Sequence, residues 1–300
     1  MSTHDRPPSS GRDTQYPGTD GLRAEVQAAL QRQDWDAATL GLRELLRRFP
    51  ADAGAWIQLS YAESFRGKYR DAREAALSAA GSRPATASVA ADVIARLRTF
   101  NEVRVLRDYL GLIGPPSRMP IPLLLAAAAQ FSYLNDQSSA LALLDEARRA
   151  DPDFPTTLIA RAQILTYLGR FEEAEREVVR SQRRAPQIAL GWSLLANLRR
   201  QSVDSNHVDA IRGLLAQPGR KPLDQTYLAS ALHKELDDLG DIDGAWQALE
   251  QACKTKRATL KYASADSRSL VDGLIALPTA IPAPALDAPA HVPVFIVGMH

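Results

Sequence analysis

A period of 34 residues constrains this chain more than any other feature of its sequence. Pro50 and Pro84 lie one period apart, as do Pro152 and Pro186. Two further periods separate Pro84 from Pro152, with Arg118 at the vacant station and Pro120 beside it. Cut at that interval, the sequence yields units 19–52, 53–86, 87–120, 121–154, 155–188 and 189–222. A seventh, 226–259, follows a three-residue slip at the Lys221–Pro222 loop. Self-similarity at this period marks a stacked repeat, in which a unit cannot bury its apolar face alone and about three or more neighbours are needed.

Other columns keep the same phase. The fifteenth place of the unit holds Gly67, Asn101, Asn135, Gly169 and Gly240, residue types that tolerate the left-handed backbone needed to leave one helix and enter the next. The twentieth place holds Ala38, Ala72, Ala140, Ala174 and Ala245, where two helices must come close. Two places after the turn stand Trp35, Tyr69, Phe171 and Ile242. Trp56 and Trp192 share the fourth place, each with a leucine (Leu59, Leu195) three residues on along the same helical face. Units two, four, five and seven are regular. Unit three, with Leu106 and Leu110 at the packing columns, and unit six, with Val208 and Arg212, are degenerate.

The pattern resembles the tetratricopeptide repeat (TPR), a pair of antiparallel helices in 34 residues. The resemblance implies an all-α, right-handed TPR α-solenoid of about seven helix-turn-helix repeats over 19–259, with the first helices lining a concave face. Residues 1–18 are expected to be a disordered leader, because they are polar, rich in Pro, Gly and Ser, and lack the apolar core of a signal peptide.

Composition narrows the function. Thirty-six Lys+Arg balance 35 Asp+Glu, so no basic field exists to hold nucleic acid. A single cysteine, Cys253, forms no internal disulfide and no zinc cluster. The longest apolar run, Ile121 to Phe131, is interrupted by Pro122 and Gln130 and is too short to span a bilayer. A cytoplasmic protein without membrane, nucleic-acid or metal partners is expected. The excess of 30 Arg over 6 Lys suggests a bacterial source.

Beyond the seventh unit the composition changes. Residues 260–292 read as a helical extension and a Pro/Ala-rich linker, followed at 293–300 by Pro-Val-Phe-Ile-Val-Gly-Met-His. Val294–Val297 has the composition of a strand buried on both faces of a parallel sheet, and a strand running straight into Gly298 is how a phosphate-binding loop opens. The round length of 300 then reads as a chain cut where an α/β domain begins. A repeat array, the segment Asp238-Leu-Gly-Asp-Ile-Asp-Gly-Ala-Trp246, the basic Lys254-Thr255-Lys256-Arg257 and the PVFIVGM strand together resemble the bacterial tetratricopeptide-repeat sulfotransferases. That resemblance implies a truncated α/β, P-loop-like domain whose strand-loop cradles 3′-phosphoadenosine 5′-phosphosulfate (PAPS), with Gly298, Met299 and His300 at the cofactor. The family's Arg-Ser-Gly-Thr would fall past the end, and His300 stands where proline is common. It implies sulfuryl transfer to a hydroxyl acceptor on a protein or peptide, with no catalytic residue inside these 300. Two alternatives stand beside it: a non-catalytic TPR protein-interaction scaffold, and another nucleotide domain such as a P-loop kinase.

A partner-binding groove is expected on the first helices. Phe65, Tyr133 and Tyr167 share the thirteenth place, and Tyr61, Gln163, Asn197 and Arg200 would face or edge the concave surface with them. Tyrosine there offers apolar area with a hydrogen-bonding tip for an extended protein or peptide, although packing onto the next repeat is the commoner use of such residues. The paired Lys and Asn of a carboxylate clamp are not found. His233 is expected to be structural, Cys253 an inert buried or half-buried thiol, and the tryptophans core residues.

Overall fold

The computed structural model describes residues 20–277. The chain divides into two compact units, Met1–Lys256 and Arg257–His300. The described part of the first consists of consecutive helical hairpins: α1 (Asp20–Gln31) with α2 (Trp35–Arg48), α3 (Ala53–Phe65) with α4 (Tyr69–Ala80), α5 (Ala87–Thr99) with α6 (Val103–Ile113), α7 (Ile121–Tyr133) with α8 (Gln137–Ala150), α9 (Pro155–Tyr167) with α10 (Phe171–Arg184), α11 (Ala189–Leu198) with α12 (Val208–Leu215), and α13 (Pro222–Asp238) with α14 (Ile242–Ala258). First helices therefore begin at 53, 87, 121, 155 and 189, one sequence period apart. Among the described residues there is no strand, and no helix is long and apolar enough to cross a membrane.

Turn chemistry sets the hairpins. Gly67, Asn101, Asn135, Gly169 and Gly240 all adopt positive φ, between 59° and 79°, and Gln33 does the same in the first hairpin at 61°. The next residue then donates its N–H to the carbonyl five positions back: Asp34 to Ala29, Lys68 to Glu63, Glu102 to Leu97, Asp136 to Phe131, Arg170 to Leu165 and Asp241 to Leu236, all between 2.9 and 3.0 Å. Each bond satisfies a carbonyl that the ending helix leaves without a partner. Helix starts are capped where the sequence supplies an oxygen: Asp34, Asp52, Thr86 and Asp136 accept from the N–H three residues on, each worth about 1 kcal/mol.

Packing follows the alanine column. Ala38, Ala72, Ala140 and Ala174 are fully buried and Ala245 nearly so, while Leu106 and Val208 fill the same place in the degenerate units. The two tryptophans of the fourth place repeat one bond: the Trp56 indole donates to the Pro50 carbonyl at 2.8 Å and Trp192 to Pro186 at 2.7 Å. Each ties the start of a first helix to the proline that closes the preceding hairpin.

Unit six departs from the period, for a physical reason. Its fifteenth place is Val203, a β-branched residue for which the left-handed conformation is strained. α11 stops after ten residues, Ser202 and Ser205 form a short bridge, and α12 starts only at Val208. The loop is anchored instead to α13, through Gln201 N–H to Asp238 at 2.9 Å and through His207 to the fully buried Glu235. The three-residue slip before the Gly240 turn falls inside α13, which runs 17 residues against 13 for α9, and not in a loop at Lys221–Pro222: Pro222 opens α13, because proline's missing N–H costs nothing in a first turn.

In the second unit, α15 (Ser264–Ile275) has no buried residue, and the Arg257 guanidinium lies 4.5 Å from the Tyr262 ring centroid. Residues 1–18, the 278–292 part of the expected linker and the expected strand-loop at 293–300, with Gly298, Met299 and His300, lie outside the described residues.

Candidate functional site

The seven groove residues fall on four first helices and the loop that follows the last of them. Tyr61 and Phe65 are on α3, Tyr133 on α7, Gln163 and Tyr167 on α9, and Asn197 on α11, with Arg200 just beyond. The structure gives them different environments. Tyr61 is half-buried, with the Arg96 guanidinium stacked 4.3 Å from its centroid. Phe65 stacks on Trp35 of the preceding hairpin, centroids 4.3 Å apart and planes 13° from parallel. Both are therefore engaged between repeats. Asn197 is exposed, but its amide donates to the Ser193 carbonyl at 2.7 Å. Gln163 is half-buried, and Arg200 is exposed.

Tyr133 and Tyr167 differ from these. They end successive first helices at the same place and are 71% and 67% exposed. Arg98, one repeat before, sets its guanidinium 5.0 Å from the Tyr133 centroid. Two large amphipathic rings on neighbouring helices, with a cation beside one, form a ridge that the core does not use. The spacing signal for these residues was in the sequence; the role of Arg98 was not, because its partner lies in the next repeat.

Beneath this edge, ionic groups tie hairpin to hairpin. Glu63, fully buried on α3, is held by Arg43 of α2 at 2.7 Å and by Arg66 at 2.9 Å. Arg96, 5% exposed on α5, donates to the Ser60 hydroxyl and carbonyl at 2.7 Å and to Ser64. Arg161 of α9 pairs with Asp145 of α8 and with Glu177, which Arg148 of α8 also meets at 2.8 Å. Such buried pairs add little net stability, but losing one partner is costly, so they fix which hairpin faces which. A related device recurs between second helices: Arg73 binds Glu102, and Arg107 binds Asp136, in each case an arginine meeting an acid at the next hairpin's turn. Partial burial pushes the Asp136 carboxyl up, but hydrogen bonds from Ser139 and Arg107 outweigh it and hold it below the usual carboxylate range. At Asp238 burial likewise opposes ionisation; Lys234, the Gln201 N–H and the charge of Arg200 prevail and lower it.

No group of three His, Cys, Asp or Glu side chains among the described residues is placed to hold a metal. His233 is half-buried with Nδ1 3.0 Å from the Ala245 carbonyl, joining α13 to α14. A shallow groove of about 390 Å³ beside α8, floored by Leu110, Phe131 and Leu143 and rimmed by Arg107, Glu146 and Arg149, has no convergent acid-base pair. Two expectations need correction. Cys253 is exposed, and Trp246 is 63% exposed rather than core, since both lie on the outer face of α14, where no further hairpin follows within the array.

Hairpins stacked in register, with an outward ridge of tyrosines, define a TPR-like α-solenoid. Residues 135–198, from the Asn135 turn through α11, match the family model described as tetratricopeptide repeat. Among solved structures, a tetratricopeptide repeat protein from Parabacteroides merdae is similar over 84% of this chain and 97% of its own, at 13% identity and a TM-score of 0.50. The C-terminal part of a TPR repeat-containing protein from Cytophaga hutchinsonii aligns over 84% of this chain and 99% of its own, at 12% identity and a TM-score of 0.49. At such identity the first of these likenesses bears on fold alone. No curated protein matches the chain.

Proposed function

We propose that the repeat array is a protein-interaction scaffold whose first-helix edge, centred on Tyr133 and Tyr167, receives an extended segment of a protein partner. The observation that carries this is the pair of outward tyrosines at one repeat place on consecutive first helices, 71% and 67% exposed. A tyrosine contributes large contact area for little lost side-chain freedom, and its hydroxyl can pair with a peptide backbone. Regular hairpins hold the two rings on rigid helices, so ordering them on binding costs little. Gln163 extends this edge on α9, and Asn197 and Arg200 extend it around α11. Tyr133→Ala combined with Tyr167→Ala tests it: the double variant should keep its circular dichroism and lose proteins that the immobilised wild-type chain retains. An unchanged set of retained proteins would refute the proposal.

The second reading makes the array the targeting region of a PAPS-dependent sulfotransferase, with the scaffold presenting the acceptor. The sequence PVFIVG at 293–298 favours it, a resemblance that would put Gly298, Met299 and His300 nearest the cofactor. Its test is the reading frame beyond His300 together with sulfuryl transfer by the longer chain. Arg-Ser-Gly-Thr and transfer support it, whereas a stop codon or Gly-Lys-Thr overturns it.

A further inference from the structure

The last second helix of the array exposes places that the first hairpin buries beneath its successor. At the twenty-first, twenty-fourth and twenty-eighth places, Thr39, Leu42 and Leu46 of α2 are 4%, 0% and 5% exposed, in the helix that α3 packs against. The same places on α14 are Trp246, Leu249 and Cys253: 63% exposed, half-buried and exposed. With Ile242, 65% exposed in a column where Tyr69 and Phe171 are exposed as well, they are spaced four, three and four residues apart, the spacing of a helix seam. We propose that α14 is a self-association surface, pairing antiparallel with α14 of a second copy about a twofold axis.

Three observations choose this occupant. The charges on α14 are uneven along its length: Asp241 and Asp243 stand at its start and Lys254, Lys256 and Arg257 near its end, with Glu250 between them pairing with Lys254 at 3.6 Å. Antiparallel pairing sets each acidic end beside the basic end of the other copy and opposes the helix dipoles, whereas parallel pairing would bring like charges together. The face is thus complementary to itself, as an isologous contact requires. At the other end of the array, α1 has no large exposed hydrophobic residue, so a head-to-tail contact would have no apolar counterpart. In the antiparallel register Trp246 meets Cys253 of the other copy, and the two Leu249 side chains meet near the axis. Two helices of 17 residues bury on the order of 1,000 Å², at the low end for a specific interface, so the dimer should dissociate in the micromolar range.

The test uses the full chain in sedimentation velocity across micromolar concentrations. A monomer–dimer equilibrium is expected, weakened about thirtyfold or more by Trp246→Glu, with circular dichroism unchanged. Should that variant unfold, Trp246→Cys decides independently. On oxidation with diamide it should form a disulfide-linked dimer through Cys253 of the other copy, and Cys253→Ser should abolish the product. A monomer at every concentration overturns the proposal, whether the stripe is then bare, covered by another segment of the chain or held for a different protein. So does a dimer indifferent to Trp246→Glu with no cross-linked product.

Discussion

Gly169 closes the hairpin between α9 and α10 at φ 73°, and its substitution isolates what the turn column contributes. A Cβ added there meets no atom within 4 Å, so packing adds nothing and the cost is confined to the backbone. The left-handed conformation costs an ordinary L-residue about 1–2 kcal/mol. Gly169→Ala recovers about 0.4–1 kcal/mol of that by restricting the unfolded chain, for a net loss of about 0.5–1 kcal/mol. A β-branched side chain is worse in this region, so Gly169→Val should lose about 2 kcal/mol. Gly169→Asn should stay within about 0.5 kcal/mol of wild type, because Asn101 and Asn135 already hold the same place at φ 59° and 60°. Urea unfolding reads these as midpoint shifts at constant slope, with coincident fluorescence and circular dichroism checking that the array unfolds as one unit. Valine no more costly than asparagine would refute this account of the column.

Tyr109 is 1% exposed with a buried hydroxyl that has no partner, and burial pushes its phenol upward. Tyr109→Phe should raise stability by about 1 kcal/mol, and alkaline difference spectra should show one tyrosine that ionises only on unfolding. Glu63→Ala removes the buried partner of Arg43 and Arg66, whose own side chains are 51% and 23% exposed and also reach Asp71 and Asp36, and should cost about 1–2 kcal/mol in urea unfolding. The lowered carboxyl of Asp136 stabilises the fold fully above the ordinary Asp range, and this is lost as pH falls through its depressed native value. Asp136→Asn, which keeps a capping oxygen, should flatten acid unfolding by less than about 1 kcal/mol, since Arg107 is half exposed.

The hairpins were legible in the sequence because short-range chemistry sets them. A glycine or asparagine at each turn and an alanine at each close approach recur in phase, so Gly67, Asn135, Ala72 and Ala140 announce their own roles. Unit six could be seen to be irregular, but the route of its loop could not. Val203 forbids the turn without saying what replaces it, and the anchors Asp238 and Glu235 lie a repeat away. The groove was harder for the same reason. Phe65, Tyr133 and Tyr167 share one place and Tyr61 lies a turn before it, yet Arg96 covers Tyr61 and Trp35 covers Phe65, and neither partner can be read from a column. Exposure at the end of the array was misjudged because a period describes interior repeats. Trp246 and Cys253 hold places that α3 covers on α2, and among the described residues no further hairpin of the array follows α14.

Photo-cross-linking tests the interaction edge most directly. A benzoylphenylalanine placed at Tyr133, at Tyr167, and at Leu40, 69% exposed on the second helix α2, would be irradiated in living cells. One protein captured from both 133 and 167, and not from 40, is the expected result. No adduct at either tyrosine position, or the same adduct from position 40, would contradict the assignment of the first-helix edge as the partner-binding surface.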